Sequence, residues 1–161
     1  MKKFKEKGAL ISFGCKFQGE FVDRRWGKRL HYKDFAHCRY LFLLRIHRLI
    51  SHSENRDIKE ILKSFSDEYD IAVVAATQRI VHSPKSHTFG SVSMRKTDSY
   101  YEEKPYEKIE VVDRIGSGDA YISGFLYGLL KENGNCQAAL EYGNAGQCYE
   151  KYPSVGIMLW T

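Results

Sequence analysis

The sequence predicts an α/β fold built on a mostly parallel sheet, and three stretches carry that expectation. DIAVVAA at 70–76 is a β-branched run without alternation, as expected of a parallel strand covered on both faces. RDIKEILKSFSDEY at 56–69, just before it, has apolar residues at helical spacing. KIEVVD at 108–113 reads as a strand and leads through glycines into an apolar helical run from about Asp119 to Glu132. Strands that alternate with helices imply a layered sheet with helices packed on it.

Taken in order, ALISF at 9–13 reads as a short buried strand after a charged lead-in, and 20–35, mixing charge and aromatics, as a helix. RYLFLL at 39–44 is an apolar run of strand length. In the 56–69 helix, Ile58, Ile61, Leu62 and Phe65 share one face. FGSVSMR (89–95) and SYYEE (99–103) alternate, and read either as antiparallel strands or as a loop-rich excursion. The helix beginning near Asp119 ends before Asn133-Gly134, a suitable C-terminal stop. NCQAALEYGNAGQCYEKY, 135–152, reads as one more helix, weakened by Gly143 and Gly146. Gly124 and Gly128 form a G-x-x-x-G pair that implies close packing of their helix onto the sheet. No linker, repeat or low-complexity tract divides the chain, so 1–161 is expected to be one domain.

Hydrophobic residues make up 43% and charged residues 28% of the 161, a balance that excludes a disordered chain. No apolar run approaches the roughly 20 residues a membrane span needs. The start, MKKFKEKGALISF, is basic but lacks the apolar core and cleavage site of a signal peptide, so a cytoplasmic location is expected. The net charge of +5 suits an anionic ligand such as a nucleotide, but the basic residues are spread among acids. Neither a nucleic-acid partner nor a membrane partner is expected. Cys15, Cys38, Cys136 and Cys148 form no C-x-x-C pair and are expected as reduced thiols. The histidines have no metal-binding spacing, and no metal-ligating residues are assigned.

The chemistry concentrates in VVDRIGSGDAYISGFLYGLL, 111–130. At the carboxyl end of a strand, the following helix presents unpaired backbone N–H groups, and Gly116-Ser117-Gly118 stands at such a junction. Glycines let those donors approach a phosphate, and the helix dipole favours negative charge there. The loop has no Lys at the Walker A position and no third glycine of a dinucleotide fingerprint. Asp119 at the helix start has two readings: a helix cap, or a general base taking a proton from a hydroxyl that attacks a phosphoryl group.

DRIGSGDAYISGFLYGLL closely resembles the D-[TR]-x-G-[AS]-G-D-x-[FY]-x-x-G pattern of the ribokinase-like sugar kinases, the phosphofructokinase B family. Asp113, Gly116, Ser117, Gly118, Asp119, Tyr121 and Gly124 match in order. Arg114 in place of the more usual Thr is similar to the branch containing 2-keto-3-deoxygluconate kinases. TQRIVHSPKSHTFGSVS resembles the loop and strand pair on the nucleotide side, and ALEYGNAGQC the helix whose Asn, here Asn144, lies near the adenine pocket. The resemblance spans roughly 5–148. It implies a three-layer ribokinase-like sandwich, of which this chain is the C-terminal, nucleotide-binding half.

The resemblance implies an ATP-dependent carbohydrate kinase that moves the γ-phosphoryl group to a primary hydroxyl of a sugar acid, 2-keto-3-deoxygluconate being the expected acceptor. Asp119 is then the catalytic base, and the backbone amides of Gly116, Ser117 and Gly118 form the anion hole. Asn144 is a nucleotide contact, and Arg114 and Arg79 are candidates for a phosphate or substrate contact. ATP and Mg²⁺ are the implied cofactors, with K⁺ a further candidate. In EKGALISFGCKFQGEF, Gly14 and Lys16 stand where the family usually reads closer to S-F-D-x-N-x-R, so side chains that face the sugar are missing. The alternative is a non-catalytic nucleotide-binding remnant, or one subunit of a split kinase. Half of a parallel sheet leaves an open edge, so a second copy or a complementing N-terminal half is the expected protein partner.

Overall fold

The computed structural model describes residues 2–16, 38–44, 57–97, 99–111 and 115–149. Among these, α1 (Lys2–Glu6) precedes β1 (Ser12–Lys16) and β2 (Tyr40–Leu44). Then come α2 (Ile58–Tyr69), β3 (Val73–Ser83), β4 (Ser86–Arg95), β5 (Ser99–Glu102) and β6 (Tyr106–Glu110). Two helices follow, α3 (Ser117–Lys131) and α4 (Cys136–Tyr149). The strand order is β1-β2-β3-β4-β5, with β6 also pairing β4. The β1–β2 and β2–β3 pairs are parallel, and the β4–β5 and β4–β6 pairs antiparallel. The α/β class expected from sequence is therefore present as a mixed sheet. The helix expected over 20–35 lies outside the described residues.

The chain forms two compact units, residues 1–78 with 92–102, and residues 79–91 with 103–161. In the first, the parallel strands carry the core. Tyr40 and Leu41 align with Val73 and Val74, and Leu41, Leu43, Val74 and Ala76 are shielded from solvent together with Ile61, Leu62 and Ile71. Fully burying an aliphatic side chain of this size contributes about 1.5–3 kcal/mol, so this cluster outweighs the exposed ion pair between Lys96 and Asp70.

The α2 helix forms where its periodicity predicts, for local reasons at both ends. Asp57 has extended backbone angles and its carboxylate accepts from the Lys59 N–H at 3.1 Å, so it caps the start. Asp70 turns left-handed (φ 55°), and the Ile71 N–H returns to the Ser66 carbonyl at 3.1 Å. The Ser66 hydroxyl donates to the Ile71 carbonyl at 2.9 Å, which fastens the helix end to the strand that follows. Replacing Asp57 with Ala is expected to cost about 1 kcal/mol, read as a lower urea midpoint at unchanged slope.

In the second unit, the N-terminal part of β4 pairs with β6, Ser86 opposite Glu110 and His87 opposite Ile109, with a bulge before Phe89. The expected strand at 108–113 starts earlier, at Tyr106, and ends at Glu110; the Val111 N–H continues the contact to the Lys85 carbonyl at 2.8 Å. The second half of β3, beyond the run expected from sequence, is exposed at Ile80 and Val81.

Packing of α3 against α4 corrects one expectation. Gly124 and Gly128 do not serve contact with the sheet. A Cβ at Gly124 would collide with the Tyr142 carbonyl oxygen, and one at Gly128 would lie 2.8 Å from the Ala139 Cα. On α4, a Cβ at Gly143 would come within 2.8 Å of the Tyr121 ring, and one at Gly146 within 3.0 Å of the Ala120 carbonyl oxygen. The contacts run in opposite chain directions, so the helices are antiparallel. Gly143 and Gly146 do not weaken α4 into breaking: close approach of the two backbones offsets the roughly 1 kcal/mol that glycine costs a helix.

Glu103 anchors the other side of α4, accepting from Gln137 Nε2 at 2.9 Å. Burial pushes its carboxyl above the ordinary value, and the Glu141 charge adds to this while the Gln137 hydrogen bond opposes it. A carboxyl whose pKa is raised in the folded state stabilises it at acidic pH, and that contribution is lost as pH rises through the folded pKa. Glu141→Gln removes one raising cause, so the decline in denaturation midpoint with rising pH across the carboxylate range is expected to become shallower.

Candidate active site

The start of α3 is set by one backbone feature. Gly116 adopts φ 84°, a left-handed conformation that costs a residue with a side chain about 1–2 kcal/mol and glycine little. Its carbonyl accepts the first helical hydrogen bond, from the Ala120 N–H at 2.9 Å. As N-cap it makes no side-chain hydrogen bond to the first turn. A helix begun this way directs the N–H dipoles of Ser117, Gly118 and Asp119 toward one point, where an anion is favoured.

Asp119 is the third residue of α3 and is exposed. The cap reading therefore fails, because Gly116 occupies the cap position. Among the described residues, no hydrogen bond or ion pair engages the Asp119 carboxylate. A solvent-facing carboxylate beside a cluster of amide donors is an arrangement in which a hydroxyl proton can be accepted on one side and an anion held on the other.

Of the other expected residues, Asn144 lies on α4, whose Gly146 reaches Ala120, so it belongs to the helix pair that carries Asp119. Its side chain is wholly buried, and among the described residues neither amide atom has a hydrogen-bond partner. Arg79 is half-buried on β3, where the strand passes from buried to exposed residues. Gly14 is an exposed residue of β1. Arg114 and Asp113 lie outside the described residues. The phosphate-loop residues and Asp119 are thus brought together by one helix start, and Arg79 stands on a different element, β3.

Sequence reasoning passed over a set of buried polar groups behind this helix start. Tyr121, two residues past Asp119, is fully buried; burial pushes its phenol far up, and the nearby Ser91 hydroxyl on β4 opposes this. Gln147, one turn beyond Asn144, is buried with its Oε1 unpartnered. Two amide side chains three residues apart in an otherwise apolar and small-residue face were the available signal. Among the described residues, no group of three or more His, Cys, Asp or Glu could hold a metal ion, and no helix is long and apolar enough to cross a membrane.

Comparison with known proteins bears on this geometry. A family model described as pfkB family carbohydrate kinase matches residues 15–155. The fold is similar to that of 2-dehydro-3-deoxygluconokinase from Thermotoga maritima, with TM-score 0.82 and 19% identity over 98% of this chain and 49% of that one. It is also similar to fructokinase from Vibrio cholerae, solved with fructose, ADP and calcium (TM-score 0.66, 16% identity, 95% of this chain and 48% of that one). A third similar structure is a protein designated ribokinase II from E. coli, in complex with ATP and Mg²⁺ (TM-score 0.64, 16% identity, 92% and 44%). The chain spans about half the length of these solved structures. No curated protein matches the sequence significantly.

Proposed function

This chain belongs to the pfkB family of carbohydrate kinases, and from that premise we propose that it binds ATP at the start of α3 and serves transfer of the γ-phosphoryl group to a sugar hydroxyl. The observation that carries the reading is the left-handed Gly116 cap, which leads directly into the amides of Ser117 and Gly118 and the exposed carboxylate of Asp119. In this reading Asp119 accepts the proton of the attacking hydroxyl, and the first-turn amides bear the negative charge that builds on the transferred group. Arg114 and Arg79 supply cationic contacts to phosphate or to an acidic sugar. Asn144 belongs to the nucleotide side.

Mg²⁺ fits such a site as a partner of the nucleotide: magnesium is usually held by one or two carboxylates, waters and substrate phosphates, and no dedicated protein cage is needed. When bound, it supplies charge neutralisation between the phosphates. A sugar acid such as 2-keto-3-deoxygluconate is the favoured acceptor, supported by the D-R-x-G-S-G-D variant of the motif and by the likeness to 2-dehydro-3-deoxygluconokinase. Work in the cytoplasm suits that substrate.

A second reading is favoured by β1, where Gly14 stands at a position whose usual side chain, by the family resemblance, faces the sugar. In it the chain binds nucleotide and phosphorylates only when a complementing half, or a second copy, supplies the sugar site.

Calorimetry of the full chain with MgATP tests the nucleotide site. Saturable binding is expected, weakened about 10-fold or more by Gly116→Val, because the left-handed turn that aligns the amides is lost. Absence of binding by the unmodified chain would overturn both readings. Binding together with turnover in a coupled assay on 2-keto-3-deoxygluconate selects the first, and binding alone the second.

A further inference from the structure

We propose that α4 carries a permanently hydrated internal site at Asn144 and Gln147, in which ordered water completes the hydrogen bonding of the two amides. The Asn144 side chain is 0% exposed and, among the described residues, neither its Oδ1 nor its Nδ2 meets a partner; Gln147 is 6% exposed and its Oε1 is likewise unpartnered there. Three residues apart on one helix, the two side chains lie on the same face. Gly143, next to Asn144, abuts the ring of Tyr121, whose buried phenol lies near the buried Ser91 hydroxyl on β4. Polar groups therefore continue from α4 through α3 to β4 within one unit of the chain.

The chemistry of the atoms selects the occupant. Asn144 offers both a donor and an acceptor, and Gln147 an acceptor. Water donates and accepts at one position and satisfies all of these. A bare cation would leave the Asn144 N–H groups facing it, an anion would oppose two carbonyl dipoles, and an apolar group would leave every valence unmet. Buried waters in folded proteins typically make about three hydrogen bonds to such otherwise unsatisfied groups. The site lies behind the helix start that carries Asp119, and the inference does not depend on phosphoryl transfer.

The test is a solution NMR measurement on the full chain, looking for cross-relaxation between long-lived water and the Asn144 Nδ2 protons. Persistent cross-peaks are expected in the ligand-free chain, and their absence overturns the proposal. As a second measurement, Asn144→Leu, Gln147→Leu and the double variant are unfolded in urea. Residues sharing a water are expected to show effects on the unfolding constant that depart several-fold from multiplying, whereas simple multiplication overturns the shared site. Where a variant does not fold, the spectrum of the unmodified chain decides.

Discussion

Asp119→Asn is expected to lower phosphoryl transfer by about 10²–10⁴-fold, the contribution of a positioned general base, while leaving both folding and MgATP affinity close to those of the unmodified chain. The separation follows from the position of the residue. Asp119 is exposed, is not the cap of α3, and has no hydrogen bond or ion pair with a described residue, so an isosteric amide disturbs no packing. The substitution removes a negative charge from the first helical turn, and that dipole interaction is worth only about 0.3–1 kcal/mol at an exposed site. A base role predicts loss of kcat with the nucleotide dissociation constant held. If Asp119→Asn retains full turnover, Asp119 is not the base.

Gly124→Val is expected to have the largest effect on stability, about 3 kcal/mol or more, enough to consume much of the 5–15 kcal/mol by which a domain typically folds. A Cβ at Gly124 meets the Tyr142 carbonyl and the Gly143 Cα. Both are backbone atoms, so no rotamer change relieves the clash and the two helices must separate. Gly90→Ala makes the contrast: its Cβ would lie 3.4 Å from the Pro105 ring, an ordinary contact that leaves stability within about 1 kcal/mol. Urea unfolding of the two variants side by side measures the difference. Equal midpoints would mean that α3 and α4 do not pack as closely as the glycines imply.

Features whose causes lie within a few residues of chain were legible beforehand. The α2 helix follows from the spacing of Ile58, Ile61, Leu62 and Phe65, whereas its Asp57 cap and left-handed Asp70 stop emerged with the structure. The buried half of β3 follows from the unbroken run through Ala76. The α3 start was legible to within two residues from the glycines between strand and helix: expected at about Asp119, it lies at Ser117, after a left-handed Gly116. By contrast, the continuation of β3 through Ile80 and Val81 is exposed and carries no burial pattern, so its strand character depends on pairing rather than on its own residues.

The glycines of α4 show the same boundary from the other side. Helix propensity counts the backbone entropy of Gly143 and Gly146 but carries nothing about what approaches them, so they looked like weak points. Tyr121 and Ala120 turn them into the contact itself. Asn144 was picked out as a ligand residue by resemblance alone, and its burial with unpartnered amide atoms emerges only when α4 is folded against its neighbours.

The sequence by itself determined the α/β class, the strand–glycine–helix junction at 108–119 and family membership, because periodicity, turn stereochemistry and a contiguous motif are properties of neighbouring residues. Tertiary structure alone decided that the sheet turns antiparallel after β3, that Gly124 and Gly128 face a helix, and that Asn144 and Gln147 are sealed inside. Those outcomes depend on which surfaces meet across long stretches of chain, and the free energy of that choice resides in contacts between residues far apart in the sequence.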